Sequence, residues 1–447
     1  MTFRIILFLA LVLLFTQFQV TRKYSTEYDR NWPQWRGPKA TGEAVYGNPP
    51  VEWSEMKNIK WKIEIPGKGL STPIIWEDKI FISTSVATVQ KVEDDEVEEA
   101  ETTQRRGPPV NKATGIQDFV VMAINREDGS LFWETVVCME QPVDATHNLG
   151  TWASNSPVTD GEHLYAYFGS RGLYCLDFNG KVIWERDFGQ MEKVMSFGEG
   201  SSPTIFKDKI VVIWDHQGDS FLYILDKATG EDILRIPRDE VSSWASPMIH
   251  HINGKDQVIT SASNKIRSYD LNSGEIIWEG TGMTRNVIPN PIIQEDILYL
   301  MSGFRGNALM AIDLTRAKGD ITGTNAILWE YNQDTPYTPS ALLTKDKLYF
   351  LRGNNGSLTC LDIADGKVNY NLQKLEGTGT VFASPIGVQN RLYVSSQKGI
   401  TYVIKQGPDF EILAQNTLED GNFASPAIVG DELFIRGFKY LYCISEN

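Results

Sequence analysis

Short apolar runs alternate along the chain with polar turns, and the alternation itself repeats. Each copy opens on Ser, Thr or Asn followed by Pro, then an apolar run such as Thr72-Pro73-Ile74-Ile75. A polar turn follows, as in Glu77-Asp78-Lys79 or Thr159-Asp160-Gly161, and then a second run, as in Lys79-Ile80-Phe81-Ile82-Ser83. A third run ends on Asp or Asn, and a Gly-containing turn leads to a fourth that ends on Trp. The clearest copy spans Ser268 to Trp278. Runs this short, rich in Val, Ile, Tyr and Phe and bounded by Gly, Asn and Asp, predict antiparallel strands.

The opening prolines are Pro73, Pro157, Pro203, Pro247, Pro291, Pro339, Pro385 and Pro426. Between the last seven the steps are 46, 44, 44, 48, 46 and 41 residues, and the first step is 84. A period of this length predicts the four-stranded blades of a β-propeller. Gly129, Gly180, Gly230, Gly274 and Gly366 fall where a tight hairpin needs positive φ. The prolines fall at strand entrances, where no ladder donor is needed.

Two columns emerge when the repeats are aligned. The third strands give Ala123, Cys175, Ile224, Ser268, Ala311, Cys360, Val403 and Cys443, small or apolar throughout. The fourth strands give Trp133, Trp184, Leu234, Trp278, Trp329, Tyr370 and Leu413, a large flat group suited to docking blade on blade. The eighth repeat stops after Tyr440–Ile444, whereas Asn58–Ile65 reads as a fourth strand with Trp61 in place. The expected fold is therefore all-β: an eight-bladed β-propeller over 58–447, closed by pairing of the N-terminal strand with the C-terminal blade. Closure removes exposed sheet edges.

Composition narrows the function. A formal net charge of −15 and a pI near 4.9 argue against nucleic acid and against anionic lipid surfaces. Acidic residues concentrate in 91–101 within an expected loop insertion at about 87–116. Residues 1–23 hold a mostly apolar run from Ile5 to Phe18, which suits a signal peptide or an uncleaved signal anchor in an exported protein of the periplasm or cell envelope. No Cys near that run offers a lipid acceptor. Residues 24–57 read as a linker and lead-in, with Trp32-Pro33-Gln34-Trp35-Arg36-Gly37-Pro38 as a lid packed on the propeller or, alternatively, a docking motif. Three of the four Cys share one register around the ring, too far apart to pair, so free thiols are expected.

The Asp270–Trp278 motif, with variants at Asn125–Trp133 and Asp226–Leu234, resembles the tryptophan-docking repeat of the pyrroloquinoline-quinone (PQQ) type propellers. The Trp32–Pro38 stretch resembles the opening of exported PQQ-binding-like β-propeller repeat proteins. The resemblance covers the chain from about residue 31 to the end. It implies either a quinoprotein alcohol or sugar dehydrogenase or a cofactor-free propeller like the outer-membrane assembly lipoprotein. The enzymes imply a vicinal disulfide, Ca2+ held by Glu, Asn and Asp, and an Asp base; this chain has no Cys-Cys pair. The expected function is a non-catalytic binding or scaffold module, monomeric, with a protein, peptide or carbohydrate ligand on one face. The alternative is a PQQ-dependent oxidoreductase with Ca2+.

Residues that differ from their repeat counterparts mark where a site would lie, since equivalent positions serve packing. Those gathered before the Pro corners are expected at one channel mouth. The candidates for cofactor or ligand contact there are His147, Asn155, Glu199, Asp215, Trp244 and Arg285. No catalytic constellation and no metal spacing is expected.

Overall fold

In the computed structural model the described residues are 27–91 and 109–446. The expected leader at 1–23 and most of the acidic segment lie outside them. Among the described residues no helix is long and apolar enough to cross a membrane.

Among the described residues eight blade sheets form, one per repeat, each with four antiparallel strands; blade 4 adds Gly319–Asp320 in parallel, and Val110–Asn111 pairs with Thr146–His147 in a separate two-stranded sheet. Blade 1 comprises Ile74–Trp76, Lys79–Lys91, Gly115–Asn125 and Leu131–Glu140, and the remaining blades follow the same order. The first strands of blades 8, 1, 2, 3 and 4 touch in succession, which places the first strands around the central axis. The eighth blade takes Ala427–Val429, Glu432–Arg436 and Tyr440–Ile444 from the C-terminus and Ile59–Glu64 from the N-terminus. Trp61 faces Cys443 in that pairing, so the ring closes as the sequence predicts.

The two sequence columns face each other across the outer hairpins: Ala123 pairs Trp133, Cys175 pairs Trp184 and Ala311 pairs Trp329. The rings of Trp61, Trp133, Trp184 and Trp329 reach across to the next blade and lie on its hairpin glycine. A Cβ at Gly180 would sit 2.6 Å from Trp133, and one at Gly230 2.6 Å from Trp184. Positive φ is therefore only half the reason for glycine; the other half is the ring. The indole N–H of Trp133 donates to Phe178 O at 2.9 Å, and that of Trp61 to Arg126 O at 2.9 Å. Blade 7 departs from the expectation: Val403 faces Ala414, and Leu413 sits in the bulge. That hairpin is one residue longer than the spacing of ten found in blades 1, 3, 4 and 6, so a fixed spacing misplaces the column by one.

The Pro corners have a role the repeat alone does not reveal. At each corner the backbone N–H donates to the side-chain oxygen of the next blade's corner. Thr72 N reaches Ser156 Oγ, Ser156 N reaches Ser202 Oγ, and Ser202 N reaches Ser246 Oγ, all at 2.9 Å. The chain of bonds runs on through Asn290, Ser340 and Ser384 to Ser425. In blade 6 the corner residue is Ser340, and Ala341 takes the proline's place; Pro339 lies two residues earlier than its counterparts. Seven links are made. At the closing seam Thr72 Oγ1 has no partner, and the buried Arg436 bridges blades 8 and 1 instead, donating to Ser83 O at 2.7 Å and to Ser71 Oγ.

Candidate functional site at the open end of the channel

The first strands run from the corners to their turns, so the channel has a corner end and a turn end. The turn end is filled by the N-terminal segment. Trp32 exchanges two backbone bonds with Ile75 of blade 1, and Pro33 O accepts from Thr159 N of blade 2. Thr41 O accepts from Leu343 N of blade 6, and Gly42 and Ala44 bond Gly387 of blade 7. Arg36 is buried between them and donates to Ala341 O at 2.7 Å and Pro385 O at 2.9 Å; burial pushes its pKa down to about 9. Trp32 is fully buried. The expected lid is thus a plug threaded into the bore, bonded to the innermost strands.

The corner end stays open, and Trp35 forms its floor. Its wall is a third column of the repeat, the residue two places before each corner Ser, Thr or Asn. Leu70, Trp244, Ile288, Phe382 and Phe423 make this wall apolar over blades 1, 4, 5, 7 and 8. Ser154 and Gly200 leave a gap at blades 2 and 3, and Thr338 stands at blade 6. Phe423 packs between Phe382 at 4.4 Å and Phe438 at 5.0 Å, and Phe304 stacks on Tyr337 at 4.8 Å near the rim. Phe438 is exposed. The cavity so enclosed measures about 180 Å3.

Among the described residues Glu199, beside the gap, is the one carboxylate in this wall, and no Lys or Arg lines it. Ser170 fixes it, donating its N–H at 2.6 Å and its hydroxyl at 2.5 Å. Burial raises the Glu199 pKa above the usual carboxylate range. Trp244 is held by its indole N–H on Gly198 O at 2.8 Å.

Behind Trp244 lies a buried ionic network between blades 3 and 4. Asp215 takes a bidentate pair from Arg238, at 2.8 and 3.0 Å, and a 2.6 Å bond from Ser243 Oγ. Arg238 also donates to Tyr269 Oη at 2.8 Å. Lys193 Nζ donates to Asp215 O and Ser243 O and stands 5.2 Å from the Trp244 ring centre. Burial pushes the Lys193 pKa down to about 8. The network pins the loop Glu192–Gly198 to blade 4, where Val194 N also donates to Ser242 Oγ at 3.1 Å.

The six sequence candidates divide accordingly. Glu199 and Trp244 line the cavity. Asn155 is buried beside it and donates to Ser201 O at 2.6 Å. His147 stands one layer out, its ring 5.9 Å from Phe197, which in turn packs on Trp244; burial lowers its pKa. Asp215 is buried in the network and does not line the cavity. Arg285 is exposed, with no side-chain partner among the described residues. The sequence points to Trp35 only as part of the lid or docking motif, and to Phe382, Phe423 and Lys193 not at all. Aligned two places before the corner, Phe382-Ala383-Ser384, Phe423-Ala424-Ser425 and Trp244-Ala245-Ser246 carry the missed signal.

These features define a closed eight-bladed propeller of the tryptophan-docking type, plugged at one end and apolar at the other. The model of the family described as "Outer membrane protein assembly factor BamB" matches residues 117–369 and 218–447. The chain belongs to that family. It is 20% identical over 333 residues to the outer membrane protein assembly factor BamB of Yersinia pestis, covering 71% of this chain and 77% of that one. Among solved structures, BamB from Moraxella catarrhalis superposes with a TM-score of 0.55 at 12% identity, covering 81% of this chain and 98% of that chain. A europium-containing methanol dehydrogenase superposes with a TM-score of 0.61 at 10% identity, covering 92% and 90%. At these identities the two structures share the fold.

Proposed function

We propose that this chain is a cofactor-free docking propeller of the cell envelope, which holds a partner protein at its open channel mouth. Membership of the outer-membrane assembly family supports the class of role. The observation that carries the reading is the lining of the mouth: an apolar wall with one carboxylate, above a bore filled by the chain itself. Aromatic anchors surrounded by a polar rim are the usual make-up of a protein-binding hot spot.

The dehydrogenase reading asks for a different lining. Ca2+ takes six to eight oxygen ligands, several from carboxylates. Here Glu199 stands without a second carboxylate in the wall, and Asp215 is consumed by Arg238. The cavity of about 180 Å3 is also below the roughly 300–1,000 Å3 of small-molecule sites. Two experiments test the proposal. Affinity capture after mild crosslinking in cells is expected to recover β-barrel assembly components; their absence counts against it. Titration with PQQ and Ca2+ is expected to give no calorimetric signal and no dye-linked alcohol oxidation; saturable binding with turnover would overturn it.

A further inference from the structure

The mouth has a feature that general docking does not require: a single acidic group set in an aromatic wall. Glu199 has two oxygens and about four acceptor positions, of which Ser170 takes two. Lys193 and Arg171 share an adjoining pocket with Glu199 and bear on its carboxylate from there, but among the described residues no basic side chain lines the mouth itself, and the whole chain carries a net charge of −15. Trp244, Phe382 and Phe423 line the space, and aromatic rings attract a cation. Trp244 already has one cation against it, the ammonium of Lys193. The gap at Ser154 and Gly200 is where the wall recedes, next to Glu199.

We propose that this socket receives an arginine side chain from a protruding turn of the partner protein. The proposal rests on the protein-docking reading above and adds the chemistry of the anchor. A guanidinium is planar, weakly hydrated and always charged, so it stacks on rings and pairs with a carboxylate at once. Its aliphatic stem would lie along Ile288 and Leu70. A lysine ammonium meets the charge but not the stacking. Pairing with a cation lowers the pKa of Glu199, so binding weakens as Glu199 takes up a proton in acid.

The probe is the peptide acetyl-Gly-Arg-Gly-amide, with its citrulline counterpart as the neutral isostere. Binding is read from tryptophan fluorescence and calorimetry on the purified chain. The arginine peptide is expected to bind at least tenfold more tightly than the citrulline peptide. Glu199→Gln is expected to remove that tenfold preference. Ser154→Phe closes the gap with a residue that blades 7 and 8 already carry at this position, and it is expected to abolish binding with an unchanged melting temperature. Equal affinity for the two peptides, no binding of either, or full binding to Ser154→Phe would overturn the proposal. Capture of assembly components that persists in Ser154→Phe while the arginine peptide fails to bind wild type would sink the socket and leave the docking reading standing.

Discussion

The two ends of the channel are built from the same eight strands and end up opposite in character. At the turn end the innermost strands still have free backbone groups, and the segment from Trp32 to Ala44 satisfies them in blades 1, 2, 6 and 7. At the corner end those groups are already used, because seven of the eight corner N–H groups donate to a side chain of the next blade. Nothing there needs a strand to complete it. What remains is a wall of side chains, whose identity the fold leaves free. One end is therefore specified by backbone hydrogen bonding and the other by residue choice, and binding capacity belongs to the second.

The largest effect is expected at the filled end. Trp32→Ala removes a fully buried ring from the plug and should cost about 3–5 kcal/mol, read by urea denaturation. A small loss would mean that the plug is an ornament on a self-sufficient ring. At the open end the comparable blow is Asp215→Asn, which strips a fully buried Arg238 of its counter-charge. Breaking a buried pair in this way costs about 3–5 kcal/mol, and it should also loosen the loop Glu192–Gly198, read by hydrogen exchange.

The corner ring gives an internal control. Ser202→Ala leaves the buried N–H of Ser156 without an acceptor, at about 1–3 kcal/mol. Thr72→Val deletes a hydroxyl that bonds nothing and should lie within about 0.5 kcal/mol of wild type. Equal losses at the two positions would show that the ring of bonds does not stabilise the fold.

The smallest effect is a pH dependence at the open end. Lys193 is depressed to about 8 in the folded state from an ordinary value near 10.4. Between those values the unfolded chain binds the extra proton, so stability rises with pH across that window. The rise should vanish in Lys193→Met, measured by denaturation at pH 7.5, 9 and 10.5.

Blade number, ring closure and the glycine turns were legible in the sequence because each has one local cause repeated eight times. Two errors of register, Pro339 for the blade 6 corner and Leu413 for Ala414, came from assuming a fixed spacing where one hairpin is longer and one corner lacks its proline. The mouth was half legible. Glu199 and Trp244 stand out as departures from the repeat, but Phe382 and Phe423 look like ordinary strand residues until they are aligned on the corner. Lys193 gave no signal, since its meaning depends on Asp215 and Ser243, which no spacing connects to it. Two Trp in a turn-rich stretch announce packing without saying on which strands, so the sequence predicts a lid where the structure has a plug.

Site-specific photocrosslinking in cells tests the contrast between the two ends most directly. A photoreactive phenylalanine analogue is placed at Phe438, on the rim of the open mouth, or at Lys39, exposed at the plugged end. A discrete crosslinked envelope protein is expected from position 438 and none from position 39. The same adduct from position 39, with position 438 silent, would contradict that contrast.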